Sequence, residues 1–318
     1  MGKREKVKKP LWREILEWVL TIVCALAIAL CIRSLVFEPV RVDGQSMDDT
    51  LANGEIMFVS KLGYNSVWAS LPWQSIDEKD LAPKWSFFGE PNPFDVVICR
   101  YPGRGDTDFV KRLIGRAGDT ITLDNGYLSV NGTAYPEPYI NDAYRTPGQY
   151  EYRVPAKGDT FSIVYADGSA YQTYFLKDAP DAVHFDILVG GEKVLWGIET
   201  RTGTAYRYGV YNGISEDGAT TLSYNGGKVL INGKQVTWRD GTWYLGGQAQ
   251  SGNPMDAVVG QTFHLQDDYC FVMGDHRNNS SDCRNVGPIP RNYIIGHVVQ
   301  VLLPFPNWRS VQNGLAVQ

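Results

Sequence analysis

The sequence predicts a mainly β protein held behind a single apolar N-terminal helix. Three observations carry this. The run from Trp18 to Ile32 contains no charged residue. Beyond it, short β-branched and aromatic runs recur at intervals of roughly eight to twelve residues, separated by Gly-rich turns. No helix-period segment of convincing length interrupts them. With 318 residues, 43% hydrophobic and 20% charged, the composition is globular and leaves room for one large domain or two ordinary ones. A formal net charge of -5, without a basic patch past the first residues, argues against nucleic acid as a partner.

Taken in order, the N-terminus comes first. Lys3, Arg4, Lys6, Lys8 and Lys9, opposed by Glu5, precede the apolar run. With Arg33 snorkelling and Leu35-Val36-Phe37 added, that run reaches the roughly 20 residues a bilayer-spanning helix needs. Basic residues on the near side place the N-terminus in the cytoplasm and everything after Phe37 outside. Ala25-Leu26-Ala27 superficially matches a signal-peptide cleavage site but lies in the middle of the run, so an uncleaved anchor is expected.

Next, Glu55 to Val59 and Asp95 to Cys99 read as short strands. Between them, Trp68, Trp73, Trp85, Phe87 and Phe88 lie among prolines and charges. Such aromatics suit the headgroup region of a membrane, and equally a small cluster packed beneath a loop. Val110 to Ile114 and Thr120 to Leu123 are further strands, and Asp124-Asn125-Gly126 forms a hairpin turn into Tyr127 to Val130. From about Asn141 to Asp268 the pattern repeats in kind, with turns expected at Asn212-Gly213, Asn225-Gly226-Gly227 and Asn232-Gly233. The stretches Gly126 to Gly132 and Gly227 to Gly233 echo one another, as two hairpins with the same turn chemistry would.

Three stretches concentrate polar chemistry. Gly44-Gln45-Ser46-Met47 by itself is ordinary turn material. Phe109-Val110-Lys111-Arg112-Leu113-Ile114-Gly115, followed by Gly118-Asp119, places Lys111 in an apolar strand able to desolvate it, with Arg112 on the opposite, solvated face. A lone strand lysine more often protects an edge. The loop Gly274 to Arg284 carries two arginines and two aspartates, the composition of a solvated loop or of a hydrogen-bonded network buttressing a site. Cysteines and histidines suggest no metal: Cys24 and Cys31 fall in the anchor, and Cys99, Cys270 and Cys283 are an odd set without CxxC spacing. His184, His264, His276 and His297 are scattered, so no cofactor is expected.

Together with the basic start and the anchor, these three stretches resemble the bacterial type I signal peptidases, membrane-bound Ser/Lys-dyad proteases of the S26 type, in their Gram-positive form. The resemblance implies a coiled antiparallel β-sheet catalytic domain. It implies Ser46 as nucleophile, Lys111 as general base, Ser280 orienting that lysine, and Asp282 with Arg284 as a supporting ion pair. The oxyanion falls to the Ser46 backbone N–H, without side-chain help from Gly44. The implied organisation is a cytoplasmic tail 1–14, an anchor 15–37, a catalytic core 38–140 and 268–304, a β-rich insert 141–267 and a tail 305–318. The implied partners are signal peptides of secreted preproteins and membrane lipid, with the translocation machinery as a further candidate. Asp49 stands where the family usually has proline, which loosens the turn, and Phe109, Arg116-Ala117, His276 and Cys283 are further departures. Self-cleaving repressors share the dyad but not the anchor, and penicillin-binding enzymes need a lysine where Asp49 stands. From a different class, an anchored β-rich binding module without peptidase activity fits the Tyr/Trp-rich middle section.

Overall fold

The charge-free run forms a 25-residue helix, Leu11–Leu35, in the computed structural model. The structure describes residues 10–62, 66–68, 73–75, 78, 84–86, 92–167, 174–194 and 209–311. At 1.5 Å per residue the helix is ~37 Å long, more than the ~30 Å of bilayer hydrocarbon. The stretch Leu11–Arg33 has a mean hydropathy of 2.6, and none of it is buried against the protein. A core helix would hide one apolar stripe; this one is apolar all round, as a lipid-facing helix is. The basic tail, Lys3 to Lys9, lies outside the described residues. The helix closes with the Val36 N–H on the Ile32 carbonyl and runs directly into the strand Phe37–Arg41. Phe37 is therefore a strand residue, its ring stacked 4.7 Å from Phe58.

That strand is the edge of an antiparallel sheet with the spatial order Phe37–Arg41, Ile56–Ser60, Ile294–Leu303, Val96–Cys99, Phe109–Arg116, Tyr269–Met273 and Ile289–Pro290. Arg309–Ser310 pairs with the far end of Ile294–Leu303. Register shifts at Ile56/Met57, Phe58/Val59 and Phe271/Val272 increase the local twist and curl the sheet. Val96–Cys99 and Tyr269–Met273 are buried at every position, which explains why they read as unbroken apolar runs. Lys111 lies opposite Val97, and Arg112 opposite both Val96 and Met273.

A second, four-stranded sheet has the order Gln149–Arg153, Thr120–Asp124, Tyr127–Val130 and Thr133–Ala134. The remaining strands between Thr160 and Gln250, together with Phe263–Leu265, form one long antiparallel ladder of eleven strands. Its core is aromatic: Phe161, Tyr174, Phe185, Tyr211, Tyr224 and Phe263 are all buried. Asn212-Gly213 is not the expected turn but the middle of the strand Val210–Ser215. A Cβ on Gly213 would collide with the Phe161 ring and come within 2.7 Å of Phe263 Cβ, so ring packing and not chain reversal requires this glycine. The two echoing hairpins share their bonding. Asn131 and Asn232 each donate a backbone N–H to the first threonine, Thr120 or Thr221, and accept that residue's N–H on the side chain.

Of the aromatic stretch before Pro93, the strands Ser66–Trp68 and Lys84–Ser86 pair with each other, and Trp73 is exposed. Phe87, Phe88 and the side chains of Trp68 and Trp85 lie outside the described residues.

Candidate active site

Ser46 opens a tight turn between the first two strands of the site sheet. The Val42 N–H meets the Glu55 carbonyl at 2.8 Å, and the Gly54 N–H meets the Val42 carbonyl at 2.9 Å, closing the loop at its base. Inside it, the Thr50 and Leu51 N–H groups fold back onto the Met47 carbonyl at 3.0 and 2.7 Å. Burial of Met47 and Leu51 anchors this turn and leaves Ser46 half-buried at its start. Asp49 sits in the left-handed region at φ 73°, a conformation closed to proline and tolerated by aspartate. The turn is thus not held by a proline ring. It is held from below by the buried Glu55 carboxylate, which accepts the Ala52 N–H at 3.0 Å, Asn307 at 2.8 Å and Arg309 through both oxygens. Arg309 also donates to the Thr50 carbonyl at 2.8 Å.

Lys111 reaches this turn from the centre of the sheet. Its Nζ lies 2.7 Å from Ser46 Oγ and 2.9 Å from the Val110 carbonyl, with the side chain 3% exposed. Burial pushes the Lys111 ammonium down from its ordinary value, against an opposing pull from Cys99, Asp282 and Asp275. That pull is weak in practice. The Cys99 thiol is itself pushed up to about 12 by burial and so carries no charge near neutral pH. Both aspartates are committed to arginines, and both hydrogen-bond partners of Lys111 are neutral groups.

The loop Gly274 to Arg284 is a buried network rather than a solvated loop. Burial would raise the Asp282 carboxyl, but Arg284, the Gly274 N–H and the Ser280 hydroxyl together hold it below the usual carboxylate range. Arg284 grips both Asp282 oxygens at 2.8 Å, and the Gly274 N–H meets one of them at 2.9 Å. Among the described residues Ser280 makes no close side-chain hydrogen bond, to Lys111 included; it faces Asp282 from further off. Gly274 packs so tightly beneath Ser46 that an added Cβ would lie 2.5 Å from the Ser46 carbonyl oxygen and would clash with Ser280.

Arg112 corrects the expectation of a solvated face. Side chains alternate along the strand as expected, but the opposite face is also covered, and Arg112 is 0% exposed. It donates to both oxygens of the fully buried Asp275 at 2.9 and 2.7 Å and to the Phe94 carbonyl at 2.7 Å, and its guanidinium stacks 3.7 Å from the Tyr139 ring. Asp275 also accepts the Thr50 hydroxyl at 2.6 Å, tying this pair to the Ser46 turn. Arg277, from the same loop, is buried against Glu137, which Arg145 also contacts at 3.2 Å. Asp275, Arg277, Glu137, Glu55 and Arg309 carry no individual site signal in the sequence, and Arg112 reads there as solvated. The signal available was the pairing of aspartates with arginines inside one loop; Glu55, Glu137 and Arg309 lie outside it and gave none.

Gly44, at φ 108°, spends its N–H on Asn53 Oδ1 at 3.1 Å. The Ser46 N–H, by contrast, has no acceptor among the described residues. The arrangement therefore offers a hydroxyl, a desolvated amine within proton-transfer distance and an uncommitted N–H beside the hydroxyl. Cys99, Cys270 and Cys283 are all buried, and no disulfide joins any two of them.

A sequence profile of the signal peptidase family, peptidase S26, matches residues 15–180 and 218–303. Of the stretch between the two matched segments, the described residues 181–194 and 209–217 lie within the eleven-stranded ladder. The chain is 36% identical over 141 residues to signal peptidase I P of Bacillus subtilis subsp. natto, covering 44% of this chain and 62% of that protein. Signal peptidase I of Bacillus amyloliquefaciens is 38% identical over 127 residues, 39% of this chain and 52% of its own. Signal peptidase IB of Staphylococcus aureus strain COL is 31% identical over 129 residues, 41% and 55% respectively. The chain thus spans between about half and three fifths of the length of these relatives. With the profile covering well over half of the sequence, and with the apolar helix and curled β-sheet around Ser46 and Lys111, the chain belongs to the signal peptidase family, peptidase S26.

Proposed function

We propose that this chain is a membrane-anchored serine endopeptidase that removes N-terminal signal peptides from exported preproteins, with Ser46 and Lys111 as its dyad. The observation that carries the reading is the 2.7 Å approach of Lys111 Nζ to Ser46 Oγ at a buried site where, among the described residues, the amine has no charged hydrogen-bond partner. There the neutral amine is favoured, and its lone pair accepts the Ser46 proton as Oγ attacks the scissile carbonyl. The developing oxyanion points at the Ser46 N–H. Lys111 then returns the proton to the leaving amine, and water, deprotonated by the same lysine, releases the acyl group. Asp282 with Arg284, and Asp275 with Arg112, fix the loops that hold the pair.

Residues 38–140 and 268–304 act as the catalytic core, with 141–267 as an insert and the helix as anchor. The N-terminus lies in the cytoplasm and the site on the outer face, near the lipid surface and the translocation machinery. The test is cleavage of a signal-peptide substrate by the detergent-solubilised protein. Activity lost in Ser46→Ala, with acylation of Ser46 by an active-site probe in the parent, supports the reading. A parent protein that neither cleaves nor is acylated returns the chain to the class of binding modules.

A further inference from the structure

His276 stands against the nucleophile turn in an arrangement that the dyad does not use. Its backbone N–H donates to the Ser46 carbonyl at 3.1 Å. Its ring Nδ1 lies 3.1 Å from the Gln45 carbonyl oxygen and 3.2 Å from Asp48 Oδ2. Both neighbours of Nδ1 are acceptors, so Nδ1 carries the proton and donates. The ring cannot swing away, because Tyr144 stacks on it with centroids 3.7 Å apart and planes at 21°. Tyr144 is held in turn by the Asp142–Tyr144 turn, whose Ala143 carbonyl accepts from Asn278 of the same loop as His276. One residue thereby grips both carbonyls that flank the nucleophile.

The consequence follows from the planarity of the peptide unit. The Gln45 carbonyl and the Ser46 N–H belong to one trans amide and point in opposite directions. Pinning the carbonyl oxygen fixes the direction of the N–H, and a hydrogen bond to that oxygen also polarises the N–H into a stronger donor. That N–H has no acceptor among the described residues and sits beside Ser46 Oγ. We infer that His276 is a positioning residue whose Nδ1–H, steered by Asp48 and Tyr144, holds the Gln45 carbonyl and thereby aims the Ser46 N–H at the oxyanion. The inference rests on the peptidase reading above and adds a specific part to it.

The experiment compares His276→Asn, His276→Asp and His276→Phe in the full-length protein in detergent. Asparagine can place an N–H where Nδ1 stands; aspartate has the same shape and presents an acceptor to two acceptors. Phenylalanine keeps the stack on Tyr144 and loses the donor. His276→Asn should keep kcat within a few-fold of the parent, whereas His276→Asp and His276→Phe should lose about 10²-fold in kcat, the scale of one oxyanion donor, with KM little changed. Equal activity of the Asn and Asp forms, or a loss confined to KM, overturns the inference. Should the Phe form fail to fold, the isosteric Asn and Asp pair decides. Nitrogen NMR of the labelled ring gives an answer independent of turnover: protonated Nδ1 supports the grip, and a neutral ring protonated at Nε2 overturns it. If the parent cleaves nothing, the peptidase reading fails, and the ring tautomer still decides whether His276 holds the Gln45 carbonyl.

Discussion

The site sheet and the eleven-stranded ladder are both antiparallel, yet they bury different chemistry. The site sheet and its loops enclose Lys111, Arg112 and Arg277 together with Glu55, Glu137, Asp275 and Asp282. Among the described residues the ladder encloses one charged side chain, Asp186, paired with Lys193 across a hairpin at 2.7 Å. Its core is made of rings, with Tyr174 and Phe185 set edge-on to Tyr224 at 5.4 and 5.8 Å. Buried ion pairs are a costly way to build a core, since apolar groups of equal volume do as well or better. What they add at the site is direction: each arginine fork fixes a backbone segment next to Ser46 or Lys111 in one orientation. The rings of the ladder core are held by non-directional packing instead.

The largest effect that would sharpen this contrast belongs to the dyad. Ser46→Ala and Lys111→Ala should each lower cleavage by ~10³-fold or more, because dyad members act as a unit; a tenth of parental activity in either would exclude the dyad. Lys111→Met should nevertheless fold at least as stably as the parent near neutral pH, since it removes a buried amine without an ionic partner. The lysine's depressed pKa also sets a sign. Between that value and the ordinary 10.5, the unfolded chain binds more protons than the folded one, so stability from this group rises with pH. The same titration makes kcat/KM climb with pH well below 10.5, and a limb that rises only near 10.5 would mean a solvated lysine. Both trends should vanish from their respective profiles in Lys111→Met.

Gly274→Ala comes next. The added methyl meets the Ser46 carbonyl oxygen at 2.5 Å, and backbone cannot yield there without moving Ser46. Activity should fall by ~10²-fold with the melting temperature lowered far less than in a core deletion. Third, Arg112→Met leaves the buried Asp275 carboxylate without its cation and should cost ~3–5 kcal/mol in denaturant unfolding, most of it recovered by adding Asp275→Leu. The matched change in the ladder, Asp186→Asn, should cost about 1 kcal/mol. Equal costs in the two sheets would erase the distinction. The smallest effect is at the surface: Trp73→Ser, at a residue 78% exposed, should reduce processing of a full preprotein in liposomes by a few-fold and leave a short soluble peptide unaffected. Equal loss on both substrates would assign this ring to the core.

Local order alone determined a good deal of this protein. Charge-free length made the helix, because no other arrangement satisfies its backbone in lipid. Asn-Gly turns fixed the hairpins at 125–126 and 131–132, where positive φ selects those residues. The motif around Ser46, the strand around Lys111 and the paired charges after Met273 marked the site. Tertiary structure decided the rest. Alternation placed Lys111 and Arg112 on opposite faces, but whether a face meets water depends on what covers it: Ser46, 65 positions from Lys111, and Asp275, 163 positions from Arg112, meet the two side chains. Asn212-Gly213 carried a turn's composition, yet two distant rings made it strand. Proximity of Ser46 to Lys111, of Glu55 to Arg309 and of His276 to Gln45 is a property of the curled sheet. Contacts between residues far apart in the chain leave no periodic trace in it, so only the folded chain shows which polar groups have met.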